Sequence, residues 1–290
     1  MAVLIVRKPT NLEQHGSVVS SRQSVSMEQL ELLKKAHLEH YQCLDLLRAE
    51  LNYRGIVFTE VNREDAWPKQ AFDAVFTVGG DGTLLTASHL VEDGSIPFIG
   101  LRSSKESVGY LCAGGCLEIR KIISAFQNES LVFEQRQRLR AIVTKASDGS
   151  QLKSSSVLND LLYTNSNPAA TTRYNIQFGE CKERQKSSGI WFSTPTGSTA
   201  AISAAGGFNQ KPEEKVFQFA VRELYQPQNH SISKSIFDPD KPEDLLVIEN
   251  HCSDAILAQD GDRGIIDLSF GDSISFERAA PLKIAASLVS

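Results

Sequence analysis

The chain has 290 residues, of which 41% are hydrophobic and 22% charged, with a formal net charge of −5 at pH 7. This is an ordinary globular composition, long enough for one large domain or two of medium size. The negative charge argues against a general nucleic-acid binder, because phosphate backbones require clustered lysine and arginine. A small anionic ligand needs only a few local donors, so it stays compatible with this balance.

The cysteines and the N-terminal residues bear on the compartment. Five cysteines, an odd number in a chain of this size, favour reduced thiols and a cytoplasmic location over a disulfide framework. Cys112 and Cys116 are spaced as C-x3-C, but no second pair lies near them to complete a zinc site. The N-terminal run MAVLIVRKP has too few apolar residues for a signal peptide and predicts a strand. No segment is apolar over the ~18 residues of a membrane span.

Residues 1–128 alternate predicted strands with predicted helices. Strands are predicted in AVLIVRK, GIVFTEV, FDAVFTV and SIPFIGL, and helices after Ser26, in TLLTASHLVE and in LEIRKIISAFQ. Ser26 and Gln29 form a capping-box pattern at the start of the first helix. The alternation predicts an α/β domain of Rossmann-like type with a mostly parallel sheet. Ligands of such sheets bind at the carboxyl ends of the strands.

Residues 129–290 contain short β-rich runs separated by turn residues, which predicts an antiparallel, sandwich-like all-β domain. One helix is expected within it, over residues 197–207. Arg136, Arg138 and Arg140 alternate along one predicted strand and therefore share a face. We interpret that face as solvated.

The sequence VGGDGT at residues 78–83 lies where the third strand ends and a helix is predicted to begin at Thr83. Its three glycines allow the backbone to bend tightly and to approach a ligand closely. The free N–H groups of a helix start attract anions, whereas a carboxylate repels phosphate. Asp81 is therefore a helix N-cap, a general base for a substrate hydroxyl, or a ligand of Mg²⁺. The spacing alone leaves these alternatives open.

Two further stretches carry polar groups. Residues 194–200, TPTGSTA, follow a predicted strand and lead into the Ala-rich helix. Such a hydroxyl-rich helix start suits ribose and phosphate oxygens, and a Ser/Thr-rich turn with an ordinary N-cap is the alternative. Asn159 and Asp160 are adjacent in VLNDLLY. An aspartate accepts hydrogen bonds well from ribose hydroxyls, although this pair alone is more typical of a turn.

In the order GGDGT, Asn159-Asp160, TPTGSTA and a late QDG that ends at Gly261, these stretches resemble the NAD kinase family. GGDGT alone also has close relatives in diacylglycerol-type lipid kinases and phosphofructokinases, whereas its combination with TPTGSTA is specific. The resemblance covers residues 70–265 and implies the α/β plus β-sandwich fold shared by NAD kinases and diacylglycerol kinases. The details GGDGTLLTASH, STAA and FQFAVRE are similar to the branch that includes plant NADH kinase.

The resemblance implies that ATP phosphorylates the 2′-hydroxyl of the adenosine ribose of NAD⁺ or NADH to give NADP(H). Asp81 is the implied catalytic base, and Mg²⁺ is held mainly by the nucleotide phosphates, with Asp81 as a candidate ligand. Asp260 is implied to approach the substrate from a neighbouring subunit of a homodimer or homotetramer. The implied binding residues are Gly79, Gly80, Gly82, Thr83, Asn159, Asp160, Ser188, Thr196, Ser198, Thr199, Ala200 and Asp260.

Four departures from the family pattern are visible. Arg102 stands where many members have an asparagine, and Ala201 stands where a tyrosine often follows STA. Ser188 replaces an aspartate whose charge would favour a positively charged nicotinamide, so we expect a reduced preference for NAD⁺ over NADH. The C-terminal LKIAASLVS is strand-like, so the helix with which many members return to the N-terminal domain is expected to be short or absent.

Two other functions stay open in the sequence. A lipid kinase of the diacylglycerol type needs an apolar or basic membrane-facing surface, and no stretch supplies one. A non-catalytic dinucleotide sensor would gain from losing the charge of Asp81. No nucleic-acid or membrane partner is expected. His89, on the helix after GGDGT, is interpreted as a core-facing residue rather than a phosphate contact.

Overall fold

The computed structural model describes residues 1–14, 26–104 and 107–288. The chain forms two compact units, each made of separate stretches of sequence. The first, called the α/β unit, contains Met1–Ala87, Gly94–Glu134 and the residues from Leu282 onward. The second, called the β-sandwich unit, contains Ser88–Asp93 and Gln135–Pro281. The predicted domains, 1–128 and 129–290, are each continuous in sequence, whereas each unit of the structure combines separate stretches of the chain.

The α/β unit is built around a parallel sheet. Its strands are β1 (Ala2–Arg7), β2 (Val57–Asn62), β3 (Ala74–Gly79), β4 (Phe98–Arg102) and β5 (Cys112–Gly115). They are paired in the order β2-β1-β3-β4-β5, and each pairing is parallel. Its helices are α1 (Met27–Tyr53), α2 (Asp81–Ser88) and α3 (Ile119–Gln127), with a helical turn at 11–14 and a 3₁₀ turn at Cys116–Glu118. The predicted α/β fold is confirmed.

Burial explains why the central strands of this sheet read as continuous apolar runs. β1 is fully buried from Val3 to Val6, as expected for a strand covered on both faces. Apolar residues of α1 and α3 pack against the strands in one cluster. The predicted capping box is present, because the Ser26 hydroxyl accepts from the Gln29 N–H while the Gln29 side chain accepts from the Ser26 N–H.

The β-sandwich unit consists of antiparallel strands. They are β6 (Phe133–Thr144), β7 (Gln151–Lys153), β8 (Asp160–Asn165), β9 (Thr172–Phe178), β10 (Cys181–Ser187), β11 (Gly189–Ser193), β12 (Phe217–Arg222), β13 (Lys234–Phe237), β14 (Leu246–Asn250), β15 (Ala255–Gln259), β16 (Gly264–Leu268) and β17 (Ser273–Ala285). One sheet has the order β13-β12-β11-β8-β15-β16, and a second contains β10-β9-β14-β17 with β6 and β7. Apolar residues of both sheets, among them Tyr163, Tyr174 and Phe192, form one core. The predicted sandwich is confirmed.

The helix expected over residues 197–207 is much shorter than predicted. A 3₁₀ turn at Thr196–Thr199 is followed by α4 (Ala201–Ala204), and the ψ angle of −142° at Ala200 separates the two. Gly206, with a φ of 78°, follows. An Ala-rich composition is therefore overridden by the turn that precedes it. Two further 3₁₀ turns lie at Pro227–Asn229 and Pro242–Asp244.

The C-terminal residues return to the α/β unit as a strand. Ile284 of β17 pairs in parallel with Phe98 of β4. Beyond it, the Ala286 N–H donates to the Val132 carbonyl and the Leu288 N–H donates to the Ala113 carbonyl. The strand-like reading of LKIAASLVS is confirmed for residues 282–285, and this short strand makes the return to the α/β unit; residues 289 and 290 lie outside the described residues.

Arg138 contradicts the prediction of a solvated arginine face, since its exposed fraction is 0%. Its Nε donates to the Ala280 carbonyl, Nη1 to the carbonyls of Ser88 and Val91, and Nη2 to that of Glu92. Three of these carbonyls belong to the end of α2 and the residues after it. The guanidinium therefore satisfies groups that a longer helix would have bonded, and α2 ends at Ser88 instead of continuing as predicted. Burial lowers the pKa of Arg138 to about 10, so the side chain stays charged at neutral pH.

We expect Arg138→Met to lower the free energy of unfolding by at least about 3 kcal/mol, because several buried carbonyls would lose a charged donor. Urea unfolding followed by circular dichroism measures the change. Arg120→Met is the matched control, because the Arg120 side chain is 83% exposed and its contact with Glu50 is long, at 3.6 Å. Equal stability of the two variants would contradict the role given to Arg138.

Candidate active site

The Asp81 carboxylate is oriented by a segment outside its own helix. Oδ1 accepts the N–H of Leu111 at 2.8 Å, and Oδ2 accepts the N–H of Tyr110 at 3.1 Å. Asp81 is half-buried and is the first residue of α2, so the helix begins earlier than the predicted Thr83. A carboxylate has about four acceptor positions, and two of these remain free of the bonds to Tyr110 and Leu111. The group is fixed in direction yet able to accept a proton.

The Arg102 side chain stabilises the loop that orients Asp81. Its Nη1 donates to the carbonyls of Ser107 and Val108 at 3.3 and 3.4 Å. Gly109 follows with a φ of +69°, and a Cβ there would lie 2.7 Å from the Arg102 Cδ. The sequence singled out Arg102 only as a departure from an asparagine. The structure gives it a local task in positioning the two N–H groups that hold Asp81.

Two glycines of GGDGT are required by neighbouring side chains. A Cβ on Gly79 would lie 2.2 Å from the Thr83 hydroxyl, and one on Gly80 would lie 2.4 Å from the Ser107 hydroxyl. Both distances are far below van der Waals contact, so these hydroxyls occupy the space beside the bare backbone. Thr83 is 1% exposed. Gly82 lies in the first turn of α2. The loop is thus closely packed as well as sharply bent.

In the β-sandwich unit, the Asn159-Asp160 pair and the TPTGSTA run form one surface. The Asn159 carbonyl accepts the N–H of Thr194 at 2.9 Å and the Ser193 hydroxyl at 3.2 Å. The Thr194 hydroxyl donates to the carbonyl of Leu158. A Cβ on Gly197 would lie 2.2 Å from the Asn159 carbonyl oxygen. Only a glycine permits this approach, so the two motifs fix each other's backbone.

The hydroxyls of the TPTGSTA run differ in exposure. Ser198 is 1% exposed, and its hydroxyl both donates to the Gln210 carbonyl and accepts the Gln210 N–H. Thr196 is 2% exposed, and its hydroxyl has no hydrogen-bond partner in the part of the chain that the structure describes. Thr199 is exposed and Ala200 is half-buried. The surface offered to a ligand is therefore Thr199 and Ala200, with Ser198 holding the turn.

Asp260 has a different role from the expected contact with substrate of a neighbouring subunit. Its Oδ1 accepts the N–H groups of Asn159 and Asp160, and its Oδ2 accepts the N–H of Leu158 and bonds to His89 Nε2 at 2.8 Å. These four bonds fill the acceptor positions of a carboxylate. The side chain is 0% exposed. Asp260 therefore organises the backbone of the Asn159-Asp160 pair within its own subunit.

The buried carboxylate of Asp260 also affects the ionisation of Asp160. The residue is 5% exposed. Burial, followed by the negative charge of Asp260, raises the pKa of Asp160 to about 7, and Arg263 opposes the shift. Near neutral pH the Asp160 carboxyl therefore exists in both forms, as a donor of a hydrogen bond when protonated and as an acceptor when ionised.

Ser188 lies away from the Asn159-Asp160 pair within the same subunit. Ser193, at the end of β11, pairs with Asp160, whereas Ser188 precedes the start of that strand. An extended strand rises ~3.3 Å per residue, so the two ends are separated by about 16 Å. The structure thus brings together most predicted residues of this unit but not Ser188.

Ser188 instead lines a surface cavity of about 600 Å³. Two cationic side chains, Arg173 and Lys186, and one carboxylate, Glu223, also line it. The Lys186 ammonium lies 6.0 Å from the centre of the Tyr225 ring, which is on the same wall. The cavity is therefore polar, with an excess of positive charge.

Residues 10–131 match the family described as the ATP-NAD kinase N-terminal domain. A probable NADH kinase of Oryza sativa subsp. japonica is 30% identical over 275 residues, which are 84% of this chain and 80% of the relative. The chain belongs to the NAD kinase family. An NADH kinase of Arabidopsis thaliana is 28% identical over 283 residues, 87% of this chain and 85% of the relative. The predicted family and activity class are confirmed: the protein is a phosphotransferase that acts on NAD(H).

Two solved structures have the same fold as this NAD kinase. Yeast NADH kinase complexed with NADH superposes with a TM-score of 0.70 at 19% identity, covering 99% of this chain and 83% of that chain. An NAD kinase from Archaeoglobus fulgidus in complex with ATP gives 0.66 at 16% identity, with coverages of 99% and 94%. Among the described residues, no helix has both the length and the apolar character needed to span a membrane.

The contacts of three residues, His89, Arg102 and Arg138, were not predicted from the sequence. His89 is core-facing as predicted, with a side chain 9% exposed, but its bond to Asp260 was not foreseen. Among the described residues, the Arg102 and Arg138 side chains donate to carbonyls of looped or distant segments, which leave no periodic signal in the sequence. An arginine in an apolar strand pattern, such as Arg138 next to Leu139, is the one local hint.

The Asp160 pKa predicts a pH-dependent stability. Because its folded pKa lies above that of the unfolded chain, the protonated carboxyl contributes stability that is complete below the unfolded pKa. That contribution is lost as the pH rises through about 7. Asp160→Asn removes this titration, so the stability of the variant relative to the wild type should increase between about pH 5 and about pH 8. Urea unfolding at several pH values measures the difference, and a constant difference would contradict the assignment.

Proposed function

We propose that this NAD kinase transfers the γ-phosphoryl group of ATP to the 2′-hydroxyl of the adenosine ribose, with Asp81 as the general base. The observation that carries the proposal is the fixed direction of the Asp81 carboxylate, which two N–H donors hold while leaving other acceptor positions free. A ribose hydroxyl is a weak nucleophile until its proton has an acceptor. A sensor without chemistry would have no use for such a carboxylate.

The transfer is a displacement at phosphorus. The bond between the 2′-oxygen and the γ-phosphorus forms while the bond between that phosphorus and the bridging oxygen of ADP breaks. The proton of the 2′-hydroxyl passes to Asp81, and the electron pair of the broken bond leaves with ADP. Asn159 and Asp160, together with Thr199 and Ala200, are proposed to hold the acceptor, and the buried Thr196 and Ser198 are proposed to shape the turn that presents them. Gly79, Gly80, Gly82 and Thr83 are proposed to receive phosphates.

Mg²⁺ is proposed as the metal of the donor. In the described ranges there is no group of three or more His, Cys, Asp or Glu side chains that could hold a metal ion. We propose that the ion is bound mainly by the nucleotide phosphates, with Asp81 as a candidate protein ligand. When bound to ATP, Mg²⁺ neutralises charge on the phosphate oxygens.

We expect Asp81→Asn to lower turnover at least ~100-fold, the usual contribution of a general base. Asparagine also replaces one carboxylate oxygen by an amide N–H₂, which faces the N–H of Tyr110 or Leu111 and weakens the loop. A modest fall in melting temperature should therefore accompany the loss of turnover. NADP(H) formation and NADH affinity are measured in parallel, with NADH affinity expected to stay within a few-fold. Near-normal turnover would refute the base assignment.

We propose a reduced preference for NAD⁺ over NADH. The cavity that holds Ser188 has two cations, Arg173 and Lys186, against the single carboxylate of Glu223. If it receives the nicotinamide end, this charge repels the positive ring of NAD⁺ and leaves the neutral ring of NADH unaffected. The two plant relatives that are named NADH kinases also support a reduced preference for NAD⁺ over NADH.

Ser188→Asp is expected to raise kcat/KM for NAD⁺ relative to NADH by about tenfold, the effect of one favourable charge contact worth ~1.4 kcal/mol. Ser188→Asn is the matched control, because it adds similar volume without charge and should leave the ratio unchanged. The measurement is steady-state kinetics with each dinucleotide. An unchanged ratio in Ser188→Asp would place the nicotinamide elsewhere.

We also propose a homodimer or homotetramer in which subunits share sites. The separation between Ser188 and Asp160 along β11 supports it, because a second copy can bring the two surfaces to one ligand. A monomer found by light scattering of the active enzyme would refute it. A cytoplasmic location is proposed from the five cysteines, all of which are free thiols.

A further inference from the structure

We propose that Lys8 binds the phosphate chain of the phosphoryl donor, as a positive charge placed beside the glycine loop. The inference rests on the proposed function, because it assigns a donor-binding residue to the same reaction. Lys8 is the first residue after β1, at the carboxyl end of a central parallel strand. Ligands of parallel sheets bind at this edge.

Lys8 lies directly against the loop. Its N–H donates to the carbonyl of Val78 at 3.3 Å, which continues the β1–β3 ladder to the start of GGDGT. Its Cγ is 3.5 Å from the position that a Cβ on Gly79 would take. The aliphatic stem therefore passes over the bare backbone of Gly79.

Lys8 differs from the cations around it in having no carboxylate partner among the residues that the structure describes. Arg7 pairs with Glu13 at 3.2 Å and with Glu60 at 3.3 Å. Arg63 lies 3.6 Å from Glu64. Across residues 1–14, 26–104 and 107–288, no carboxylate lies within ion-pair distance of Lys8. A half-buried ammonium without a partner is unfavourable in the free protein, and an anionic ligand supplies what is missing.

The electrostatics of the neighbours agree with this reading. Burial and then the charge of Arg63 lower the pKa of Lys8, the direction expected for a cation that lacks a partner. His40 cannot serve as a competing cation, because burial, followed by the charge of Lys8, lowers the pKa of His40 to about 4. The His40 Nδ1 is bonded to the Ser103 hydroxyl at 2.9 Å. Lys8 is thus the ionised group left to meet a ligand here.

A second buried group faces the same backbone. The Thr83 hydroxyl is 2.2 Å from the Cβ position of Gly79, on the residue that Lys8 crosses, and it has no hydrogen-bond partner among the described residues. Lysine ammonium groups and hydroxyls beside a glycine turn and a helix start are the donors that proteins use for phosphate. A polyphosphate chain therefore matches the site in charge and in hydrogen bonding.

Both substrates contain linked phosphates, and the proposal assigns Lys8 to the donor. The triphosphate of ATP carries more charge than the dinucleotide pyrophosphate. The residues proposed for the dinucleotide, Asn159 and Asp160, belong to the β-sandwich unit, whereas Lys8 belongs to the α/β unit.

Titration calorimetry on the full-length protein tests the assignment with three probes: ATP with Mg²⁺, inorganic tripolyphosphate, and NADH. In Lys8→Met we expect the Kd for ATP and for tripolyphosphate to rise at least about tenfold, the loss of one charge-assisted hydrogen bond. The Kd for NADH should stay within about twofold, because the lost bond is made to the donor. Lys8→Arg should keep part of the affinity.

Lys35→Met is the matched control, since Lys35 is exposed on α1 and should leave all three affinities unchanged. The melting temperature of Lys8→Met should not fall, because no ion pair is removed. An unchanged ATP affinity, or a wild-type protein that binds no ATP, overturns the proposal. An equal loss for NADH and ATP also overturns it, by assigning Lys8 to the dinucleotide pyrophosphate. A wild-type protein that binds ATP but forms no NADP(H) refutes the proposed function, and the Lys8→Met affinities still decide the binding role.

Discussion

The carboxylate of Asp260 determines the backbone geometry of residues 158–160, where the dinucleotide is proposed to bind. Three successive backbone N–H groups, from Leu158 to Asp160, converge on it together with the ring of His89. Without a buried acceptor at that point, these N–H groups would be unsatisfied in the interior, which is costly. Burial and, after it, the same charge raise the pKa of Asp160, so that part of the Asp160 population stays protonated near neutral pH. One fully occupied carboxylate thus fixes the backbone and contributes to the ionisation of its neighbour.

The two key aspartates of this NAD kinase are distinguished by how many acceptor positions they have left. Asp260 is surrounded by protein donors and has no capacity for another molecule. Asp81 accepts two N–H bonds, which fix its direction and leave room for a hydroxyl proton. The buried fraction of the two side chains does not by itself distinguish the roles of Asp81 and Asp260. The sequence does not distinguish them either, because each aspartate has only glycine or polar residues as neighbours. The count of occupied lone pairs assigns Asp260 to architecture and agrees with the chemical role proposed for Asp81.

The sequence was sufficient for features that depend on local pattern. Alternating strands and helices predicted the parallel sheet, and the motif order predicted the family. It was insufficient where a side chain bonds to backbone far along the chain. Arg138 was placed on a solvated face because alternation reports which residues share a face, not whether that face is covered. The prediction of a helix over residues 197–207 was wrong because the helix propensity of alanine is small compared with the packing of a turn that is held against Asn159. The bonds of Asp260 could not be predicted either, because its four donors come from two distant segments.

The return of the last strand has a consequence for synthesis on the ribosome. Ile284 pairs with Phe98, so the sheet of the α/β unit includes residues separated by nearly the whole β-sandwich sequence. A nascent chain that ends before β17 already contains β4 and the glycine loop, but its β4 has no β17 to pair with. Domains that are continuous in sequence can finish folding as they emerge. Here the unit that carries Asp81 is completed only after the other unit has been translated.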